Sequence, residues 1–132
     1  MTCPFRLASV LVGALALPGA AQAAKSVADQ MLALDLDTRI EQRCNARAMG
    51  EISRANRTMR PDELVAYAFK DSELKDDVVR APGAAVRSGN AWYRLSYVCR
   101  ATPDGLDVLW LSFRLGPEIP RSEWEDHQLV PQ

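Results

Sequence analysis

The sequence predicts one α+β domain: an N-terminal helix packed on an antiparallel β-meander, followed by a short C-terminal helix. Three observations predict it. From Ile40 to Ile52 apolar residues recur at threes and fours, the period of a helix with one buried face. Beyond Pro61 the pattern changes to alternation, clearest in WYRLSYVCRA and LDVLWLSFRL, the period of half-buried strands. Cys44 on the helix and Cys99 on a strand both fall on apolar faces, so the two layers have a covalent means of meeting.

Residues 1–23 stand apart from this domain. Arg6 gives a short positive start, Leu7 to Leu17 form an apolar core, Pro18 breaks it, and Ala21 to Ala23 supply the small residues of a cleavage site. The pattern is that of a secretory signal peptide cut near Ala23, and the run is shorter than the ~20 residues a membrane-spanning helix needs. Cleavage removes Cys3 and takes the formal charge from -1 to -2, since the segment holds one base, Arg6, and no acid. The mature chain is expected in the periplasm or outside the cell, with no transmembrane segment. Residues 24–34 read as a flexible lead-in with some helical propensity, and residues 35–132 as the single domain.

The helix is expected to start with a capping box of Thr38 and Glu41, with Asp35 and Asp37 near its positive end. Its apolar stripe is Ile40, Cys44, Ala48, Ile52, Ala55 and Met59, edged by Arg43, Arg47, Glu51 and Arg54. Pro61 is expected to end it, because proline also disfavours helix at the residue before it.

Residues 63–69 (ELVAYAF) are compatible with strand or helix and are read as strand; residues 70–77 (KDSELKDD) read as a charged loop. Residues 78–87 read as extended with a bend or bulge at Pro82-Gly83, and SGNA (88–91) as a hairpin turn. The next joint sets the register of the two clearest strands. A three-residue loop, Pro103 to Gly105 with Gly105 left-handed, pairs Cys99 with Leu109, Tyr97 with Leu111, Leu95 with Phe113 and Tyr93 with Leu115. That face is wholly apolar and is taken as the core face. Residues 119–129 (IPRSEWEDHQL) are read as the terminal helix, with Pro120 near its start.

Two cysteines in an oxidising compartment most simply form one bridge. Closing a loop of about 56 residues corresponds to ~4 kcal/mol in the chain-entropy account. A reactive thiolate at Cys44, favoured by Arg43 and Arg47, is the alternative.

The opposite sheet face carries the residues with binding chemistry. The same register sets Arg94 opposite Arg114, and a two-residue turn at Gly89-Asn90 sets Arg87 beside Trp92. Like charges across a strand pair need an answer. Arg87, Trp92, Arg94 and Arg114 could form an anion site, with guanidinium forks on a carboxylate and an aromatic edge. Alternatively Glu118, Glu123, Glu125 or Asp126 folds back and neutralises the patch. Trp110 and Val98 share this face; either Trp124 covers Trp110 in a second small core, or the patch is an apolar docking surface.

Catalytic chemistry is thinly represented. His127 is the single histidine, which leaves too few ligands for an ordinary His/Cys metal site and makes any His-dependent triad rest on it alone. No phosphate-cradling glycine spacing appears, and no cofactor is implied. Acid pairs such as Asp62-Glu63 and Asp76-Asp77 lie in charged runs. Near-neutral charge argues against nucleic acid. A small periplasmic binding or adaptor module, non-catalytic, is the expectation, its partner an envelope protein or a small anionic ligand. A structural envelope protein acting by oligomerisation is the second reading, and a hydrolase using carboxylates or Tyr93 and Tyr97 the third.

Taken in order, LDLDTRIEQRC (Leu34 to Cys44), VAYAF, APGAAVRS, WYRLSYVC and IPRSEW resemble the bacterial domain of unknown function 930 family, over roughly residues 30–129. The resemblance implies a secreted or envelope-associated domain with both cysteines inside motif blocks. It implies no activity and transfers no catalytic residue.

Overall fold

The carboxylate of Asp35 accepts a hydrogen bond from the Thr38 amide at 3.1 Å, so the long helix starts one turn earlier than a Thr38 cap would set it. In the computed structural model, which describes residues 24–132, this helix, α2, spans Leu36–Ala55. A shorter helix, α1 (Val27–Leu32), precedes it. The segment read as a flexible lead-in is therefore helical, capped by a reciprocal Ser26–Asp29 box. Arg39 holds its end in place by donating to the carbonyls of Met31, Leu32 and Leu34. The signal-peptide reading falls on residues 1–23, outside the described residues.

On α2 the buried residues are Ile40, Cys44, Ala48 and Ile52, the stripe that the period predicts. Each of the two isoleucines, once removed from water, contributes about 1.5–3 kcal/mol. The stripe stops there. Ala55 is exposed, and the chain leaves the helix at Asn56, which is extended and donates its side-chain amide to the Ile52 carbonyl. Asn56, rather than Pro61, ends the helix.

Five strands follow: β1 (Pro61–Lys70), β2 (Glu73–Lys75), β3 (Val78–Ser88), β4 (Ala91–Ala101) and β5 (Val108–Glu118). They form one antiparallel sheet in the order β1-β3-β4-β5, with β2 beside β1 on the same edge of β3. The run read as a charged loop thus contains a hairpin: Lys75 pairs with Val78 across Asp76 and Asp77, which adopt φ of 51° and 61°. Such a turn needs two left-handed residues, and aspartate tolerates that conformation better than most. The Pro82-Gly83 bulge and the Gly89-Asn90 turn form as predicted.

The β4–β5 register differs from the predicted one by two residues. Cys99 faces Leu111, Tyr97 faces Phe113 and Leu95 faces Leu115. The shift is even, so from Trp110 to Leu115 every side chain keeps its predicted face; a register break before Trp110 instead turns Val108 into the main core opposite Ala101 and leaves Leu109, predicted opposite Cys99, exposed. The connection is longer than three residues because it is built by side chains. The Asp104 carboxylate accepts from the Thr102 hydroxyl and the Leu106 amide. Arg39 and Arg43 of α2 donate to the carbonyls of Asp104 and Leu106. Gly105 is left-handed, with φ of +68°, and a Cβ there would lie 3.0 Å from Ile40, so the loop packs directly on the helix.

Helix α2 lies on one face of the sheet and forms the main core with it, including Val79, Val86, Leu95 and Tyr97. Cys44 and Cys99 are bonded at its centre, with sulfurs 2.03 Å apart and both residues fully buried. The terminal segment crosses the opposite face. It makes two single 3-10 turns, Arg121–Glu123 and Glu125–His127, in place of the predicted helix. Ile119, Trp124 and Leu129 pack on Ala85 and Trp92 as a second core.

A cationic cleft on the open half of the outer sheet face

The outer face, turned away from α2, is divided by the C-terminal segment into a covered and an open half. Arg87 and Trp92 lie under the cover. They are cross-strand partners, as the Gly89-Asn90 turn predicts, with the guanidinium 5.6 Å from the Trp92 ring centroid. Arg87 is heavily engaged. Asp62 accepts from its Nε and Nη2 at 2.9 and 3.1 Å, Glu63 lies 3.0 Å from Nη1, and the carbonyls of Val130 and Pro131 also accept from Nη1. Hydrogen bonding from Arg87 holds the Asp62 carboxyl below its ordinary value and raises Arg87 in turn. Trp92 is fully buried and donates its indole N–H to the Val130 carbonyl.

The neutralising acids are therefore Asp62 and Glu63 of β1, not the Glu118, Glu123, Glu125 or Asp126 carboxylates that the sequence suggested. Nor does Trp124 cover Trp110. The tail turns back at Ile119, whose amide donates to the Trp92 carbonyl, and this carries Trp124 to the Trp92 end of the sheet. Trp110, paired with Arg100 at the other end, is 44% exposed.

Arg94 and Arg114 lie outside the cover, and they do not face each other. Arg114 pairs with Ser96, while Arg94 sits over Gly116, where a Cβ would come within 2.8 Å of its own Cβ. The absent side chain lets the two strands keep Arg94 low across the sheet. Its guanidinium carbon lies 3.2 Å from the Phe69 ring centroid, and His127 packs on the same ring at 3.9 Å. The His127 Nδ1 lies 2.7 Å from the Ala68 carbonyl, so that nitrogen carries the proton. Stacking occupies the face of the Arg94 guanidinium and leaves its N–H edge without a partner among the described residues.

Two adjoining depressions of about 450 and 470 Å³ run along this open half and share Pro82, Ser96 and Arg114. Lys70, Arg80 and Ser112 border the first, and Arg94 and Gly116 the second. Asp71 and Glu73 also border the first, and Glu73 is the cross-strand partner of Arg80. Among the described residues, Arg80, Arg94 and Arg114 form no ion pair or side-chain hydrogen bond. The four predicted patch residues thus separate into a closed pair, Arg87 and Trp92, and an open pair, Arg94 and Arg114. Lys70 and Arg80 join the open pair because the Pro82-Gly83 bulge and the β1–β3 alignment bring them to the same cleft, a long-range relationship with little local signal.

Residues 31–129 match the family model described as Domain of Unknown Function (DUF930). The chain belongs to the DUF930 family. Comparisons with curated proteins and with solved structures find no match. No described helix of this DUF930 chain is long and apolar enough to cross a membrane, and the described residues contain no cluster of three or more His, Cys, Asp or Glu that could hold a metal.

The tyrosines considered for catalysis face the core. Tyr97 is buried and donates its hydroxyl to the Asn45 side-chain oxygen at 2.5 Å. Burial, with Glu41 nearby, pushes its phenol well above the ordinary value, so a phenolate is unfavourable there. Glu41 is itself raised, by desolvation and by Asp37 and Asp35. What the open cleft offers chemically is a set of cationic donors, of which Arg94 is held by its stack on Phe69, two hydroxyls, Ser96 and Ser112, and the carboxylates of Asp71 and Glu73. That set can hold an anion, and it includes no nucleophile paired with a base.

Proposed function

We propose that this DUF930 protein is a small, non-catalytic binding module that holds an anionic ligand on the open half of its outer sheet face. One observation carries the reading. Arg94 and Arg114 border two adjoining depressions and form no ion pair among the described residues, nor does Arg80, whose cross-strand partner is Glu73, although the same face neutralises Arg87 with two carboxylates and two carbonyls. Charge-assisted bonds from guanidinium to carboxylate or phosphate are roughly twice as strong as neutral ones, and a stacked, pre-positioned guanidinium loses less freedom in making them. Arg94, laid on Phe69, has that preparation. The ligand we favour is a compact acid of carboxylate or phosphate type, bridging Arg94 and Arg114 above Ser96.

We further propose that the module works in the periplasm. The N-terminal sequence pattern supports this, as does a buried disulfide, a type of bond that persists in oxidising compartments.

The test is calorimetric titration of the mature protein with di- and tricarboxylates, inorganic phosphate and pyrophosphate, repeated on an Arg94→Ala/Arg114→Ala variant. Saturable, salt-sensitive binding that the double variant loses, with its melting temperature unchanged, supports the reading. Equal binding by both proteins, or no binding of any of these anions, removes it.

A further inference from the structure

The two edges of the sheet differ in the middle of their outer strands. The β1/β2 edge has Pro61 at its start, two register breaks, and charged residues at Asp62, Glu63, Glu73 and Lys75. Those are the devices by which proteins prevent edge-to-edge pairing. The β5 edge has such devices at its ends, a register break on either side, Pro117 and Glu118, but from Trp110 to Arg114 it is regular, with Arg114 its one charged residue. Among the described residues, no backbone group from Leu109 to Gly116 bonds to anything beyond β4, and Leu109 and Trp110 are 59% and 44% exposed beside that edge.

We propose that β5 pairs antiparallel with β5 of a second copy of this chain, about a two-fold axis at Ser112, forming a dimer with one continuous sheet. The register follows from the residues. Directly opposed residues must point to the same face, which excludes every register that sets an odd-numbered residue against an even one. Centring on Arg114 would oppose two guanidinium groups, which is unfavourable. Centring on Leu111 sets Arg114 against Val108, and centring on Phe113 sets Trp110 against Gly116. Only the Ser112 centre gives each Arg114 an aromatic partner, Trp110 of the other copy, while Leu111 meets Phe113 on the core face. Three arginine–aromatic stacks already occur within the chain, on Trp92, Phe69 and Trp124, and Trp110 is the tryptophan left out of them. The paired segment, residues 110–114, has the length of an ordinary strand, about five residues. In this arrangement Arg114 repeats the geometry of Arg94: its face is stacked and its N–H edge is left toward the cleft, so the dimer does not depend on anion binding and does not obstruct it.

Sedimentation equilibrium of the mature protein over a wide concentration range tests the proposal, together with two variants at the exposed Ser112. The wild-type protein should approach twice its monomer mass. Ser112→Lys, which sets two ammonium groups face to face on the axis, should remain monomeric with an unchanged near-ultraviolet spectrum. Ser112→Cys should form a disulfide between copies, located by peptide mapping at position 112 in both chains, whereas Ser96→Cys on β4 should not. A wild-type protein that stays monomeric throughout, a Ser112→Lys dimer as tight as wild type, or equal cross-linking at positions 96 and 112 would overturn it.

Discussion

Trp92 donates its indole N–H to the carbonyl oxygen of Val130 at 2.8 Å, across 38 residues of sequence. An outward-facing residue of a central strand is thereby fully buried, and Leu129, next to the accepting carbonyl, becomes part of the second core. Arg87 donates to the Val130 carbonyl as well and to that of Pro131, and Gln132 reaches Asp62. The tail is what divides the outer face into a structural half and an open one.

Deleting residues 130–132 should therefore destabilise the fold by about 1–3 kcal/mol, the cost of leaving buried donors without their acceptors. Urea unfolding followed by tryptophan fluorescence checks this, and the native emission should shift to the red as Trp92 meets water. An unchanged midpoint and spectrum would mean the tail is not a structural element.

The three tryptophans should respond very differently to truncation. Trp124, 5% exposed and packed in the second core, should cost about 3–5 kcal/mol when changed to alanine. Trp110, half out in solvent, should cost less than about 1 kcal/mol in the monomer, as surface substitutions do. Thermal melts of the two variants separate the cases. Equal losses would show that Trp124 covers Trp110 after all.

The Asp62–Arg87 pair should appear in the acid limb of stability. The folded-state pKa of Asp62 lies below the ordinary 3.8, because Arg87 hydrogen-bonds its charged form. Its contribution is thus fully present above that ordinary value and is lost as pH falls through the depressed one. Asp62→Asn should be less stable than wild type near neutrality by on the order of 1 kcal/mol, since the carboxylate is partly solvated. The two stability curves should converge in acid. A gap that persists unchanged into strong acid would assign the effect to something other than this charge.

Removing the bridge should cost about as much as truncating Trp124. A Cys44→Ala/Cys99→Ala protein should lose about 4 kcal/mol from the opened loop alone, a large share of the ~5–15 kcal/mol typical of a domain. Non-reducing peptide maps of the wild type should show a single linked pair, Cys44 with Cys99. Free thiols at both positions in alkylated native protein would contradict the packing of α2 on the sheet.

The parts of this fold that were legible in the sequence are those set by local periodicity. Ile40, Cys44, Ala48 and Ile52 give the buried helix face because a helix repeats it every four residues. Alternation gives the faces of β4 and of β5 from Trp110 to Leu115, which an error of two residues in register does not disturb; the register break before Trp110, which swaps the places of Val108 and Leu109, has no signal in the alternation. That error came from the loop, whose length is set by Arg39 and Arg43, more than sixty residues away. The misplacement of Arg94 opposite Arg114 followed directly from it. The Asp35 cap was obscured because Thr38 and Glu41 match a capping pattern equally well. The destination of the tail was not legible at all, since 3-10 turns leave no periodic signal and Trp124 fits either end of the sheet.

The most direct measurement is a nitrogen–proton spectrum of the mature protein titrated with pyrophosphate or a tricarboxylate. The account predicts saturable shifts at Arg94, Ser96, Ser112 and Arg114, with the Trp92 indole and Arg87 unmoved under the tail. Shifts centred on Arg87 and Trp92, or spread evenly over the surface, would contradict it.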